Sequence, residues 1–200
     1  MSKQIFLEMN RDHGHRMEYG ASLMTVLLIL VLVSLIGVGG AQVAMMSERG
    51  ARNDRDMQLA WQSGEAALVD AESDIHDATS TRVGLFDSKT TSAFLDGCGT
   101  SGTSIGLCAL PGSGKPAWMT IDFTNTSGSA PSVALGTFTG KNFSSGGIGI
   151  QPAQAPRYII EVIPDTIGDR SDPSYIYRVT AMGFGPRTDI QAVMQIVYRN

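Results

Sequence analysis

Charge is scarce in this sequence. Charged residues make up 17% of the 200, against roughly a quarter in ordinary soluble domains. The 15 lysines and arginines form no basic stripe, and the net charge is −4. Nucleic acid, whose phosphates require clustered cations, is therefore excluded as the main partner. Cysteine is limited to Cys98 and Cys108, with no histidine and no third cysteine near them. A zinc site is excluded there, and one disulfide in an oxidising compartment is expected. Histidine is limited to His13, His15 and His76. The last lies near Asp74 and Asp77 and reads as a helix-end residue. No G-x-S-x-G or HExxH occurs. The stretch PGSGKP lacks the upstream glycine and the Ser/Thr after lysine that a phosphate loop needs, so it reads as a turn. These absences leave no catalytic site, no cofactor site and no metal site. The nearest candidate is the cluster Asp165, Asp169 and Asp172, whose spacing misses the calcium-loop pattern and which reads as a solvated hairpin loop.

The longest absence is more informative. No charged side chain lies between Glu18 and Glu48, a run well beyond the ~20 residues that a helix needs to cross the hydrocarbon core. Leu23, Leu27, Leu28, Leu30, Leu32, Leu35 and Ile36 make it apolar on all sides, as lipid or a bundle interior requires. Gly37, Gly39 and Gly40 follow. Three readings compete. The run is a cleaved secretory signal, with Gly39-Gly40-Ala41 as a small-residue cleavage site. Or it is a plain signal anchor, whose direction the tied Lys and Arg counts on its two flanks do not set. Or the polar leader ends at Gly20, cleavage falls between Gly20 and Ala21, and the apolar helix is kept.

From Ser47 the sequence turns polar without a proline as far as Ala78: SERGARNDRDMQLAWQSGEAALVDAESDIHDA. Met57, Trp61, Gly64, Leu68, Ala71, Ile75 and Ala78 alternate spacings of four and three, which predicts one buried helical stripe. Arg55, Gln58, Gln62, Glu65, Asp70 and Glu72 are expected largely on the other faces. Joined to the apolar run, this gives one helix from about Ala21 to about Thr79, about 88 Å long. A soluble secreted domain has no use for such continuity. A subunit that stores its apolar half in a membrane and later buries it among copies in a filament does, because extraction then exchanges one apolar environment for another.

A polar leader ending in glycine before such a helix resembles the class III signal of type IV pilins and type II secretion pseudopilins. That resemblance implies cleavage after Gly20 by a prepilin peptidase and methylation of Ala21. The segment from Met46 to Glu72 is similar to the N-terminal region of the PilX-type minor pilins of type IV pilus assembly. Glu48, Arg49, Asn53 and Asp56 match the E-R-x-x-x-N-x-x-D part. Leu59, Ala60, Trp61, Gln62, Glu65, Ala66, Ala67, Leu68, Ala71 and Glu72 match the following run. The ending YRVTAMGFGPRTDIQAVMQIVYR resembles the C-terminal strand pair of the same family. The resemblance implies an inner-membrane precursor with its head in the periplasm, then a place in the pilus. The implied partners are other minor pilins, the major pilin, a PilY-type tip adhesin and the prepilin peptidase. The fifth mature residue would be Thr25, where most pilins carry a glutamate that meets the amine of the subunit ahead. A subunit with nothing ahead gains no partner for such a carboxylate and bears only its cost in lipid. Thr25 therefore suggests a position at or near the filament tip, as in the tip pseudopilin of type II secretion, which is the alternative reading within the superfamily.

The expected architecture is α+β and pilin-like: leader 1–20, filament-core helix 21–46, amphipathic helix 47–79, and a head over 80–200. The head begins with Gly-, Ser- and Thr-rich loops, in which Trp118–Thr124 and Val133–Thr139 are strand candidates. A Cys98–Cys108 bridge would close a short loop there, worth about 2.5–3 kcal/mol by chain entropy. RYIIEVIP, YIYRVTAM and IQAVMQIVY are β-branched, aromatic and alternating, and predict an antiparallel sheet. Tyr158, Ile160 and Val162 share one face, as do Ile190, Ala192, Met194, Ile196 and Tyr198. The Trp61/Leu68/Ile75 stripe is expected to cover that apolar face.

Overall fold

The computed structural model describes residues 21–168 and 171–199. Helix α1 (Ala21–His76) is followed by 3-10 turns at Val83–Leu85, Gly102–Ser104 and Ala117–Met119. The strands are β1 (Leu107–Cys108), β2 (Val133–Ala134), β3 (Arg157–Pro164), β4 (Tyr175–Phe184) and β5 (Gln191–Tyr198). The chain divides into two compact units between Gly50 and Ala51, so α1 contributes to both.

In the first unit residues 22–50 are helical and exposed throughout. Alanine, leucine and methionine favour the helix, and the stiff valines and isoleucines are tolerated where nothing crowds them. The Ser34 hydroxyl donates to the Leu30 carbonyl at 2.7 Å. It is thereby satisfied inside its own helix.

In the second unit the sheet runs β1-β3-β4-β5, with β2 also paired to β3. The three long strands are antiparallel, Tyr158 lying opposite Ala181 and Val179 opposite Ile196. β1 runs parallel to β3, Leu107 beside Ile160. The three long strands thus pair antiparallel as the sequence predicts, and the short β1 makes the sheet mixed by adding a parallel edge. The bounds of β3 coincide with RYIIEVIP. Tyr158, Ile160, Val162, Tyr177 and Val179 build the main core together with Ala67, Ala71 and Ile75 of α1. Phe86 and Phe94 pack on Tyr177, edge-on at 5.3 Å and stacked at 5.8 Å. A second cluster lies on the other side of the sheet, where Cys98, Cys108, Ala117 and Phe123 cover Ile159.

Three expectations need correction. Trp118–Thr124 is not a strand. Residues 117–119 form a 3-10 turn, and the Thr120 and Thr124 hydroxyls bond locally to the Ala117 carbonyl and the Asp122 carboxylate. Such local bonds compete with a ladder. Of Val133–Thr139 only Val133–Ala134 pairs, because Gly136 turns the chain at φ +83°. Helix α1 stops at His76, a few residues short of Thr79, where the Asp77 carboxylate accepts the Thr79 N–H at 2.9 Å and turns the chain away.

Candidate functional site

The surface that distinguishes this chain is the exposed apolar flank of α1. Leu23 is 68% exposed, Leu30 59% and Ile36 75%. This helix is long and apolar enough to cross a membrane. Each such side chain is worth about 1.5–3 kcal/mol on full burial, so the flank requires lipid or neighbouring protein. Thr25 lies within it. Gly20, the expected cleavage position, lies outside the described residues.

In the head, α1 meets the sheet through a seam of small residues. Ala60, Ser63, Gly64, Ala67 and Ala71 are buried, whereas Trp61 is 47% exposed and Met57 37%. The buried stripe is therefore rotated by about one residue from the predicted one. The cause is proximity. A Cβ on Gly183 would stand 2.1 Å from the Ala60 carbonyl oxygen and 2.2 Å from the Gly64 nitrogen. At that spacing a tryptophan has no room between helix and strand. The Ser63 hydroxyl accepts the Phe184 N–H at 3.3 Å.

Beyond the seam the buried stripe continues with two carboxylates. Asp70 and Asp74 are fully buried, and the expectation that Asp70 faces away is overturned. Asp70 accepts the Gly136 N–H at 2.8 Å and the Thr139 hydroxyl, holding the turn after β2. Asp74 pairs with Arg82, both side chains having no exposure. It also accepts the Ser80 hydroxyl at 2.8 Å and the Tyr158 hydroxyl at 2.9 Å. Arg82 donates onward to the Thr103 carbonyl at 2.9 Å and the Ile105 carbonyl at 2.6 Å. Its guanidinium lies over the Phe138 ring at 3.7 Å. A buried ion pair holds only when its remaining donors and acceptors are used. Here they tie the end of α1 to β3 and to three loops. On the other side of the sheet the buried Glu161 accepts Arg178 Nε at 2.9 Å and the Ala117 N–H at 3.0 Å. Nothing local in the sequence marks these partners. The available signal was the row Ala60, Ser63, Ala67, Asp70, Asp74, which keeps strict helical spacing through small residues.

Burial, and next the Asp74 carboxylate, pushes the Tyr158 phenol well above its usual value. Its neutral form is therefore favoured by folding. The stabilisation is complete below the unfolded tyrosine value near 10 and is lost as pH rises beyond it, when the unfolded chain releases a proton that the folded chain retains. The head is expected to lose stability steeply in alkali. Tyr158→Phe should flatten that slope while costing about 1 kcal/mol at neutral pH. Urea unfolding from pH 7 to 11 measures both, and an unchanged slope would refute the assignment.

Of the other residues that the sequence singles out, Cys98 and Cys108 are joined by a disulfide. Asp165 is turned inward on its own loop, accepting the Ile167 and Gly168 N–H groups at 3.0 and 3.1 Å and Arg199 at 2.9 Å. Asp172 pairs with Lys89 at 2.6 Å. Asp169 lies outside the described residues. Among the described residues no cluster of His, Cys, Asp and Glu could hold a metal ion. His76 ends α1 with its ring edge-on to Tyr198 at 6.0 Å.

A long apolar N-terminal helix whose second half packs on a C-terminal mixed sheet defines an α+β protein of pilin-like build. The family model for the PilX N-terminal region matches residues 20–69, and that for the C-terminal region of the type IV pilus assembly protein PilX matches residues 104–200. The two matches cover most of the chain, which belongs to this family of pilus assembly proteins. No curated protein and no solved structure gives a match.

Proposed function

We propose that this chain is a minor pilin that helps to initiate type IV pilus assembly. It acts in a tip or priming complex with other minor pilins, the major pilin and a PilY-type adhesin. The observation that carries the reading is the wholly exposed apolar stretch of α1, residues 22–46, in a helix whose later turns are locked to a folded head. Such a stretch is stable only in a bilayer or among other helices, and the family supplies both stages. The precursor is a single-pass inner-membrane protein with its head in the periplasm. Prepilin peptidase cuts between Gly20 and Ala21 and methylates the new terminus, and the helix then leaves lipid for the filament. Thr25, neutral where a shaft subunit would need a carboxylate, supports a place at the tip. The chain contributes packing surfaces and no chemistry of its own.

Two measurements on pili test the two parts. Mass spectrometry should find a mature chain that begins at methylated Ala21. A first residue near Gln42 would instead assign a secreted domain with an ordinary signal. Immunogold labelling should mark one filament end, and an even distribution along shafts would remove the tip assignment.

A further inference from the structure

Two isoleucines of the head are held in water. Ile148 is 103% exposed and Ile150 60%, in the stretch SSGGIGIQ. No charged residue occurs from Asn142 to Pro156. The loop is closed on itself by its own hydrogen bonds. The Gly146 N–H donates to the Pro152 carbonyl at 2.8 Å, and the Gln151 N–H to the Gly149 carbonyl at 3.1 Å. The Gln151 amide reaches the Ile148 carbonyl at 3.4 Å and fills the space beside Gly147, where a Cβ would come within 2.9 Å of it. Gly149 takes φ +112°, which lets the chain pass between the two isoleucines without folding either back.

The root of this loop is fixed. The Ala153 N–H donates to the Gly185 carbonyl at 2.8 Å. Gly185 in turn abuts α1, where a Cβ would stand 2.9 Å from the Asp56 carbonyl oxygen. The loop is thus anchored beside the N-terminal end of the helical segment that carries the head. From Met46, the end of the apolar run, to Asp56 is ten residues. They span about 15 Å as helix and no more than about 36 Å in any conformation.

We propose that Ile148 and Ile150 seat the head on the bilayer that holds residues 21–46, dipping into the boundary between headgroups and acyl chains before assembly. The proposal rests on the membrane reading of that helix. Two features select lipid as the occupant. Before assembly the tether keeps the root of the loop within reach of the bilayer, so lipid is present at a high effective concentration. The absence of charge over 142–156 lets the loop enter an apolar boundary without burying an ion.

The test uses the full-length chain in phosphatidylcholine vesicles that contain spin-labelled lipid. Ile148→Cys gives the one free thiol, since Cys98 and Cys108 are bonded, and takes an environment-sensitive fluorophore. Quenching at 148 should be at least threefold stronger than at Thr79→Cys, an exposed position beyond the C-terminal end of α1. Adding Ile150→Ser should halve it. Equal quenching at the two positions overturns the proposal. So does a loop shielded only in assembled pili, which would assign the isoleucines to a neighbouring subunit. Vesicle flotation in the same samples separates the two readings. A chain that fails to float removes the membrane helix and this proposal together, whereas a floating chain unquenched at 148 removes this proposal alone.

Discussion

Asp74→Ala is expected to destabilise the head by about 3–5 kcal/mol, because it leaves the Arg82 guanidinium buried without its carboxylate. Against a total of about 5–15 kcal/mol for a folded domain, that loss brings the head close to unfolding at physiological temperature. For a head of this size it corresponds to a fall of roughly 6–20 °C in Tm. The Ser80 and Tyr158 hydroxyls lose their acceptor in the same step, which keeps the cost in the upper part of the range. A double variant, Asp74→Leu with Arg82→Met, removes both charges and should recover much of the loss, since replacing a whole buried pair is far less costly than halving one. Thermal unfolding of the full chain in detergent measures all three proteins. An Asp74→Ala variant within about 1 kcal/mol of the parent would mean that the pair contributes no more than a surface contact.

Gly183→Val is the second large effect. The new side chain would enter a space bounded on one side by the α1 backbone, which cannot rotate out of the way as a side chain can. Helix and strand must separate, and a loss of about 3 kcal/mol or more is expected. Gly64→Ala, across the same seam, provides the contrast. Its Cβ would meet the flexible tip of Met194 at 2.2 Å, while the nearest backbone atom is 3.3 Å away. Met194 can adjust, so Gly64→Ala should cost about 1 kcal/mol. Urea unfolding followed by tryptophan fluorescence reads both, and equal effects at the two glycines would refute a backbone-to-backbone seam.

The long strands were legible in the sequence because β-branched and aromatic residues alternate there with few interruptions, and because each strand is specified by its own residues. The helix was legible for the same local reason. Its orientation was not. Trp61 and Met57 are the large apolar residues that a stripe argument selects, yet the sheet approaches too closely to admit them and takes Ala60, Ser63 and Gly64 instead. Size mattered more than hydrophobicity, and the required size depends on Gly183, which lies more than a hundred positions along the chain. Burial of Asp70 and Asp74 was invisible for a similar reason. A carboxylate on a helix reads as solvated until its distant partners, Thr139, Arg82 and Tyr158, are known. The short pairings of β1 and β2 depend on β3 and leave no periodic trace over two residues.

The bond between Cys98 and Cys108 has a consequence for timing. It joins two members of the cover over Ile159, and cytosolic thiols are kept reduced. On the reading proposed above, a copy still inside the cell carries that cover unfastened, and only a delivered copy has it stapled shut. Precursors awaiting export and subunits ready for use are then chemically different molecules, and a thiol-alkylating reagent can count each.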